Sequence, residues 1–403
     1  MPDVEFTNLL LVAVIALLAP LTLGLAPRLR VPAVVLEIVA GIVVGPQVLG
    51  WVEVDLPVSI VSLLGLAFLL FLAGLEIDLQ QLKGQVLRLA LVWYAETLVL
   101  GVVAGLGLDA MGWVHSPGLV AVTLSATSLG LVVPVLKDAG QVDSRLGQTA
   151  VAAASVADFA AIVLLSLFFS ASDGSTGSRL VLLVSFAALV GATAVATMFV
   201  ARSRRLTMTF TRLQDTTAQL RVRAAVVLLV AFVALAEKFG LESILGAFMA
   251  GAVVGLVDRD SVSHPNFRLK LEAIGYGFLI PVFFVSSGLR LDLSGLMENP
   301  AALARVPVFV LALLVVRGLP ALLFSRLFDR SSIVAAGLLQ ATSLPFIVTA
   351  TQIGVLTGLL SGVTAAAMVC AGLFSVVLFP VAALALLRSH LSTSTDADAL
   401  SPS

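Results

Sequence analysis

Thirteen long apolar runs dominate this chain and fix what it can become. They lie at about 6–26, 32–51, 57–77, 89–108, 117–136, 147–169, 179–201, 223–238, 241–257, 275–291, 302–325, 332–357 and 362–387. A helix that crosses a bilayer needs about 20 mostly apolar residues, so each run reads as a span. Runs eight and nine are short and separated only by Glu237 to Gly240. Charged residues make up 12% of the chain and mean hydropathy is +1.12. A soluble chain carries about 25% charged residues. Half that charge cannot cover a water-facing surface, which excludes a soluble enzyme, a nucleic-acid binder and a disordered chain. Continuous runs, not alternating ten-residue segments, argue against a membrane β-barrel. An all-α integral membrane protein with about 13 transmembrane helices remains. The acidic start (Asp3, Glu5) lacks the basic flank of a signal peptide, so the first run reads as retained.

Thirteen spans put the termini on opposite sides. Odd-numbered connections and the tail hold eighteen basic residues, among them Arg28, Arg30, Lys83, Arg204, Arg205, Arg212 and Arg388; even-numbered connections hold four, Arg179, Lys238, Arg290 and Arg305. The positive-inside rule then places the N-terminus outside and the C-terminus in the cytoplasm. A miscounted span would scramble this separation. The longest connection, around 202–223, holds six arginines and reads as a cytoplasmic linker. The tail after Arg388 is rich in Ser, Thr, Asp and Ala and reads as disordered.

Ala-Thr-Ser-Leu occurs twice, at Ala126–Leu129 and Ala341–Leu344, midway along spans five and twelve. The two spans are seven apart in chain order, so they cross in opposite directions. Six spans, a linker span and six more form two inverted repeats. The expected boundaries are 1–178 for the first repeat, 179–222 for the linker helix and basic connection, 223–388 for the second repeat and 389–403 for the tail. Each copy places hydroxyls at mid-depth, Thr127 and Ser128 in one and Thr342 and Ser343 in the other. Each is followed by helix-weakening residues, Gly130 and Pro134 or Pro345. Broken backbone at that depth survives only when buried in protein or lining a polar cavity. Two such breaks meeting at the midplane supply carbonyls, hydroxyls and helix-end dipoles for an ion.

Four charges lie inside spans, and burying each costs several kcal/mol unless it is paired or wet. Asp158 is central in span six among Ala, Val, Phe and Ile, with Ser155 three residues back on the same face. A carboxylate in that setting binds a proton or a small cation at one site. Arg317 in span eleven keeps its proton and reads as an organiser that holds an acid or a broken-helix carbonyl; Glu96 and Asp158 are its candidate partners. Glu37, early in span two, is also placed as an organiser. Glu76 and Asp78 read as interfacial. The spacings Gly41/Gly45, Gly101/Gly105 and Gly251/Gly255 read as close helix packing. Cys370 is the one cysteine. His115, His264 and His390 lie in connections or the tail, and no resident metal or cofactor is expected.

The stretches Pro32–Pro46 with Leu49-Gly50, Phe68–Asp78, Thr127–Leu136, Gly240–Gly251 and Pro281–Gly288 run in order through nearly the whole membrane part. Together they resemble the monovalent cation:proton antiporter family two, of bacterial sodium/proton and potassium/proton antiporters. That resemblance implies a six-helix core moving against a dimerisation domain in an elevator-like cycle, with spans five and twelve as the broken crossing helices. The family's ion-binding aspartate falls on Asp158 and its basic residue on Arg317. Family members commonly carry Asp or Asn just before the aspartate; here the residue is Ala157.

The expected activity is secondary antiport of Na+ or K+ against protons, in the lipid of a bacterial inner membrane, by a homodimer. The sequence predicts electroneutral exchange, because Ala157 cannot titrate and Arg317 does not. A proton-coupled carrier of another solute on the same fold is the alternative.

Overall fold

The computed structural model describes residues 5–25, 32–76, 84–138, 140–142, 144–169, 176–202, 219–257, 265–298, 300–326 and 328–399. Among these there is no strand. The first half of the chain forms α1 (Thr7–Leu25), α2 (Ala33–Val44), α3 (Leu56–Leu75), α4 (Gly84–Ala110), α5 (Pro117–Ser125), α6 (Leu129–Asp138), α7 (Arg145–Phe169) and α8 (Thr176–Arg202). The second half forms α9 (Leu220–Lys238), α10 (Ser243–Val257), α11 (Pro265–Ile274), α12 (Ile280–Leu289), α13 (Arg305–Leu313), α14 (Arg330–Gln340), α15 (Pro345–Leu356) and α16 (Gly362–Ala399). A π-helical turn, Gly275–Leu279, joins α11 to α12. A second, Leu314–Gly318, continues α13 into a 3-10 segment, Leu319–Arg326.

All thirteen expected spans fall on these helices or on a broken pair of them. Among the described residues seven helices are long and apolar enough to cross a membrane, and four shorter helices are apolar. The thin separator between runs eight and nine is a true break. The Phe239 N–H closes α9 onto the Leu235 carbonyl, Gly240 takes φ +66°, and the Glu242 N–H donates to Ser166 Oγ before α10 starts. Asp78, Arg28, Arg30, Lys83, Arg204, Arg205, Arg212 and His264 lie outside the described residues. Residues 389–399 are helical where the composition reads as a disordered tail. Extending an existing helix adds one bond per residue with no new nucleus to form, so polar composition does not by itself end α16.

The chain divides into two compact units, each drawing on both halves. One comprises Met1–Asp78 and Ile162–Arg290, the other Leu79–Ala161 and Leu291–Ser403. In the first, α3 packs on α10, α10 on α9, and α12 on α2 and α3. Small residues set these distances: a side chain at Gly41 would meet the Val285 carbonyl, and one at Gly251 the Phe71 carbonyl. Asp55 starts α3 by accepting from the Val58 N–H at 3.0 Å, with Pro57 in a first turn that needs no N–H donor there. In the second unit α4 packs on α5 through Gly101 and Gly105, while α13, α14 and α15 pack on α16.

Candidate functional site

The second unit contains two interrupted helices. Helix α5 stops at Ser125, Ala126 is extended (ψ 151°), and α6 begins at Leu129. Helix α14 stops at Gln340 and α15 begins at Pro345, a position where a proline forfeits no hydrogen bond. Both interruptions fall on the repeated Ala-Thr-Ser-Leu. The two breaks touch: the Ser128 N–H donates to the Thr342 carbonyl at 3.1 Å. Thr127 Oγ1 donates to the Gln340 carbonyl at 2.8 Å, with Gln340 Oε1 at 3.3 Å. Thr342 Oγ1 donates back to the Leu338 carbonyl. Of the four hydroxyls expected to border the site, Thr127, Thr342 and Ser343 are buried to 2% exposure or less and Ser128 to 9%.

Arg317 lies fully inside this crossing, 1% exposed. Its Nη1 donates to the Ser125 carbonyl (2.8 Å), its Nε to the Gln340 carbonyl (3.2 Å) and its Nη2 to Gln340 Oε1 (2.7 Å). Ser125 and Gln340 are the last residues of α5 and α14, where unpaired carbonyls gather partial negative charge. One guanidinium thus closes two helix ends. These three bonds end on neutral oxygens, and of the two candidate acids Glu96 is not among their acceptors. Trp93, Tyr94 and Thr97 are buried on α4, and Glu96, beside Thr97 and three residues from Trp93, is half-buried. Asp158 acts on Arg317 electrostatically.

Asp158 lies at the opposite kind of helix end. Its Oδ2 accepts from the Leu129 N–H at 3.3 Å, the first residue of α6. Unpaired N–H groups there carry partial positive charge, which favours a carboxylate. The expected neighbour Ser155 is buried, and its hydroxyl donates to the Val151 carbonyl one turn back. Glu37 is a buried residue of the first unit, on α2.

Three contributors escape a reading of motifs. Gln340 accepts from Arg317 and Thr127 and donates through Nε2 to the Ala150 carbonyl (2.7 Å), tying α14 to α7. Tyr94 Oη lies 3.2 Å from Ser125 Oγ. Ser375, on α16, bonds the backbone of Ser343. Each is a polar side chain inside an apolar span, and that placement is the signal that would have found them.

The cluster therefore separates its charges. Positive charge is consumed at the carbonyl ends of two half-helices, while the Asp158 carboxylate sits at the N–H end of α6. Such a carboxylate can hold one proton or one monovalent cation, and either restores neutrality.

Comparison with known proteins places the chain in a family. The family model described as the sodium/hydrogen exchanger, transmembrane, matches residues 13–388. YjbQ of Bacillus subtilis, itself named as a candidate Na(+)/H(+) antiporter, is 33% identical over 400 residues, 94% of this chain. This chain spans 63% of the length of YjbQ. The Na(+)/H(+)-K(+) antiporter GerN of Bacillus cereus is 30% identical over 89% of this chain and 90% of its own length. The solved structure of MjNhaP1, a sodium proton antiporter of Methanocaldococcus jannaschii, matches with a TM-score of 0.62 over 94% of this chain and 98% of that one. Its 18% identity marks a shared fold. The chain is a multi-pass helical membrane protein and belongs to the sodium/hydrogen exchanger family, a family of transporters and not of enzymes.

Proposed function

We propose that this protein is a secondary active antiporter that exchanges Na+ or K+ for protons, with Asp158 as the shared site. The observation that carries the reading is the position of Asp158 at the N-terminus of α6, beside two broken helices whose carbonyl ends are already occupied by Arg317. The names of YjbQ and GerN support the substrate class. Thr127, Ser128, Thr342, Ser343 and Ser155 supply the oxygens around the carboxylate. Arg317 organises the crossing.

Exchange is electroneutral, one proton for one cation. Ala157 has nothing to titrate, and Arg317 keeps its proton while its three bonds hold the two helix ends. Asp158 is neutral when it crosses with either cargo. The cycle is elevator-like alternating access in a homodimer, with the N-terminus outside and the C-terminus in the cytoplasm of a bacterial inner membrane. Its physiological role is pH homeostasis.

Purified protein in liposomes loaded with a pH-reporting dye tests the reading. Addition of Na+ or K+ to an acid-loaded vesicle is expected to release its protons. A pH change that needs an organic solute, and ignores Na+, K+ and Li+, would instead identify a proton-coupled carrier.

A further inference from the structure

Ser343 sits in the break between α14 and α15, and its side-chain oxygen is buried without a hydrogen-bond partner among the described residues. Its main chain is held differently. The Ser343 N–H donates to Ser375 Oγ at 3.2 Å, and the Ser375 hydroxyl in turn reaches the Ser343 carbonyl at 3.1 Å. One side chain therefore addresses both backbone groups of one residue. Ser375 is itself fully buried on α16. Gly372, one turn earlier, lets that helix approach: a side chain there would lie 3.1 Å from the Ser343 carbonyl and 3.1 Å from Leu344 Cδ1.

A hydroxyl has a single proton, and that of Ser375 has two carbonyls in range. The second is the Gly372 carbonyl, at 2.8 Å on its own helix. The proton can rest on Gly372 and leave the Ser343 carbonyl open, with no hydroxyl donor stranded in a dry interior. The acceptor bond from the Ser343 N–H is kept in both positions. Ser343 can thus offer its carbonyl and an unpartnered hydroxyl to a bare cation, while the Thr342–Ser343 peptide stays fixed through its N–H.

We propose that Ser375 is a positioning residue for the cation. It clamps the Ser343 peptide and, by rotating its hydroxyl, yields the Ser343 carbonyl when a cation arrives. The inference rests on the antiport reading for its cargo, but the clamp is physical and can be measured without transport.

The experiment compares Ser375→Ala and Ser375→Thr with the unaltered protein in two assays. The first is backbone amide exchange at Ser343 in the full-length protein in detergent. The second is the KM and kcat for Na+ and K+ in liposomes. Ser375→Ala is expected to lose protection at the Ser343 amide and to raise the cation KM about five- to tenfold, the scale of one lost hydrogen bond. Its kcat should stay within about twofold, since the group that carries the proton is untouched. Ser375→Thr keeps the hydroxyl and should restore both. Unchanged amide protection in Ser375→Ala overturns the proposal. So does lost protection with an unchanged KM, or a fall in kcat at constant KM, because each leaves Ser375 as packing alone. If the unaltered protein exchanges no monovalent cation, the antiport reading fails, the proposed role in cation binding falls with it, and the amide assay still decides the clamp.

Discussion

Arg317 grips Gln340 twice, through Nη2 to the side-chain Oε1 at 2.7 Å and through Nε to the main-chain carbonyl at 3.2 Å. Gln340 passes that hold to α7 by donating to the Ala150 carbonyl. Replacing Gln340 with Leu leaves a buried guanidinium N–H unpaired and removes the tie to the Ala150 carbonyl, at a cost of about 1–3 kcal/mol. A thermal unfolding midpoint several degrees below the unaltered protein in detergent is the expected result. An unchanged midpoint would show that Gln340 does not brace the crossing.

Asp158→Asn preserves shape and removes the charge that a proton or cation neutralises. Exchange should fall to the background of empty liposomes while the size-exclusion profile and melting midpoint hold. Exchange at the ordinary rate in a well-folded variant would remove Asp158 from the site.

The stoichiometry gives a further test. Na+-driven exchange under a valinomycin-clamped potential should run at a rate independent of the imposed voltage. Glu96→Gln should leave both the rate and its voltage independence intact, because the three bonds of Arg317 to Ser125 and Gln340 do not use Glu96. A steady current on a solid-supported membrane would show that a second charge moves in each cycle.

Gly251 and Gly41 allow helices to touch backbone to backbone. A valine at Gly251 meets the Phe71 carbonyl and should destabilise the first unit by about 1–3 kcal/mol. The check is the fraction of protein that survives heating in detergent; full survival would mean that α3 and α10 part without cost.

At the end of α3, Glu76 lies 3.4 Å from Arg268. Burial raises its carboxyl above the ordinary carboxylate range, Arg268 pulls it partly back, and Glu272 adds to the rise. A raised folded pKa means the fold holds the proton more tightly than the unfolded chain. Its stabilising effect is full below about pH 4.5. It is lost as pH climbs through the raised value. Between those limits the melting midpoint should fall more steeply for the unaltered protein than for Glu76→Gln. Parallel curves would show that Glu76 titrates normally.

The broken helices were legible because Ala-Thr-Ser-Leu is a local signal written twice, and proline and glycine spell their own backbone effects. Asp158 stood out because an acid in a run of Ala, Val and Phe has no local explanation. The partners of Arg317 were not. A carbonyl acceptor belongs to every residue equally, so nothing marks Ser125 or Gln340 as an arginine's target until α5 and α14 are brought together. Reading charge against charge left Glu96 and Asp158 as candidates, whereas the hydrogen bonds of the buried cation go to helix ends and one amide. Nor does linear order reveal that each compact unit combines both halves of the chain, since the boundary at Ile162 falls inside one unbroken helix, α7.

That interleaving sets a timetable for biogenesis. Asp158 enters the bilayer with α7, but Arg317 leaves the ribosome about 160 residues later. At about 5–20 residues per second the wait is on the order of ten to thirty seconds. Throughout it the Ser125 carbonyl lacks its guanidinium donor, and α6 has no α14 or α16 to rest on. The nascent first half is therefore a lipid-embedded intermediate with an incomplete crossing, exposed to quality-control proteases and to pairing with the wrong helix. Variants that weaken the α4–α5 contact through Gly105 should reveal themselves first as low yield in the membrane, before any defect in the finished transporter.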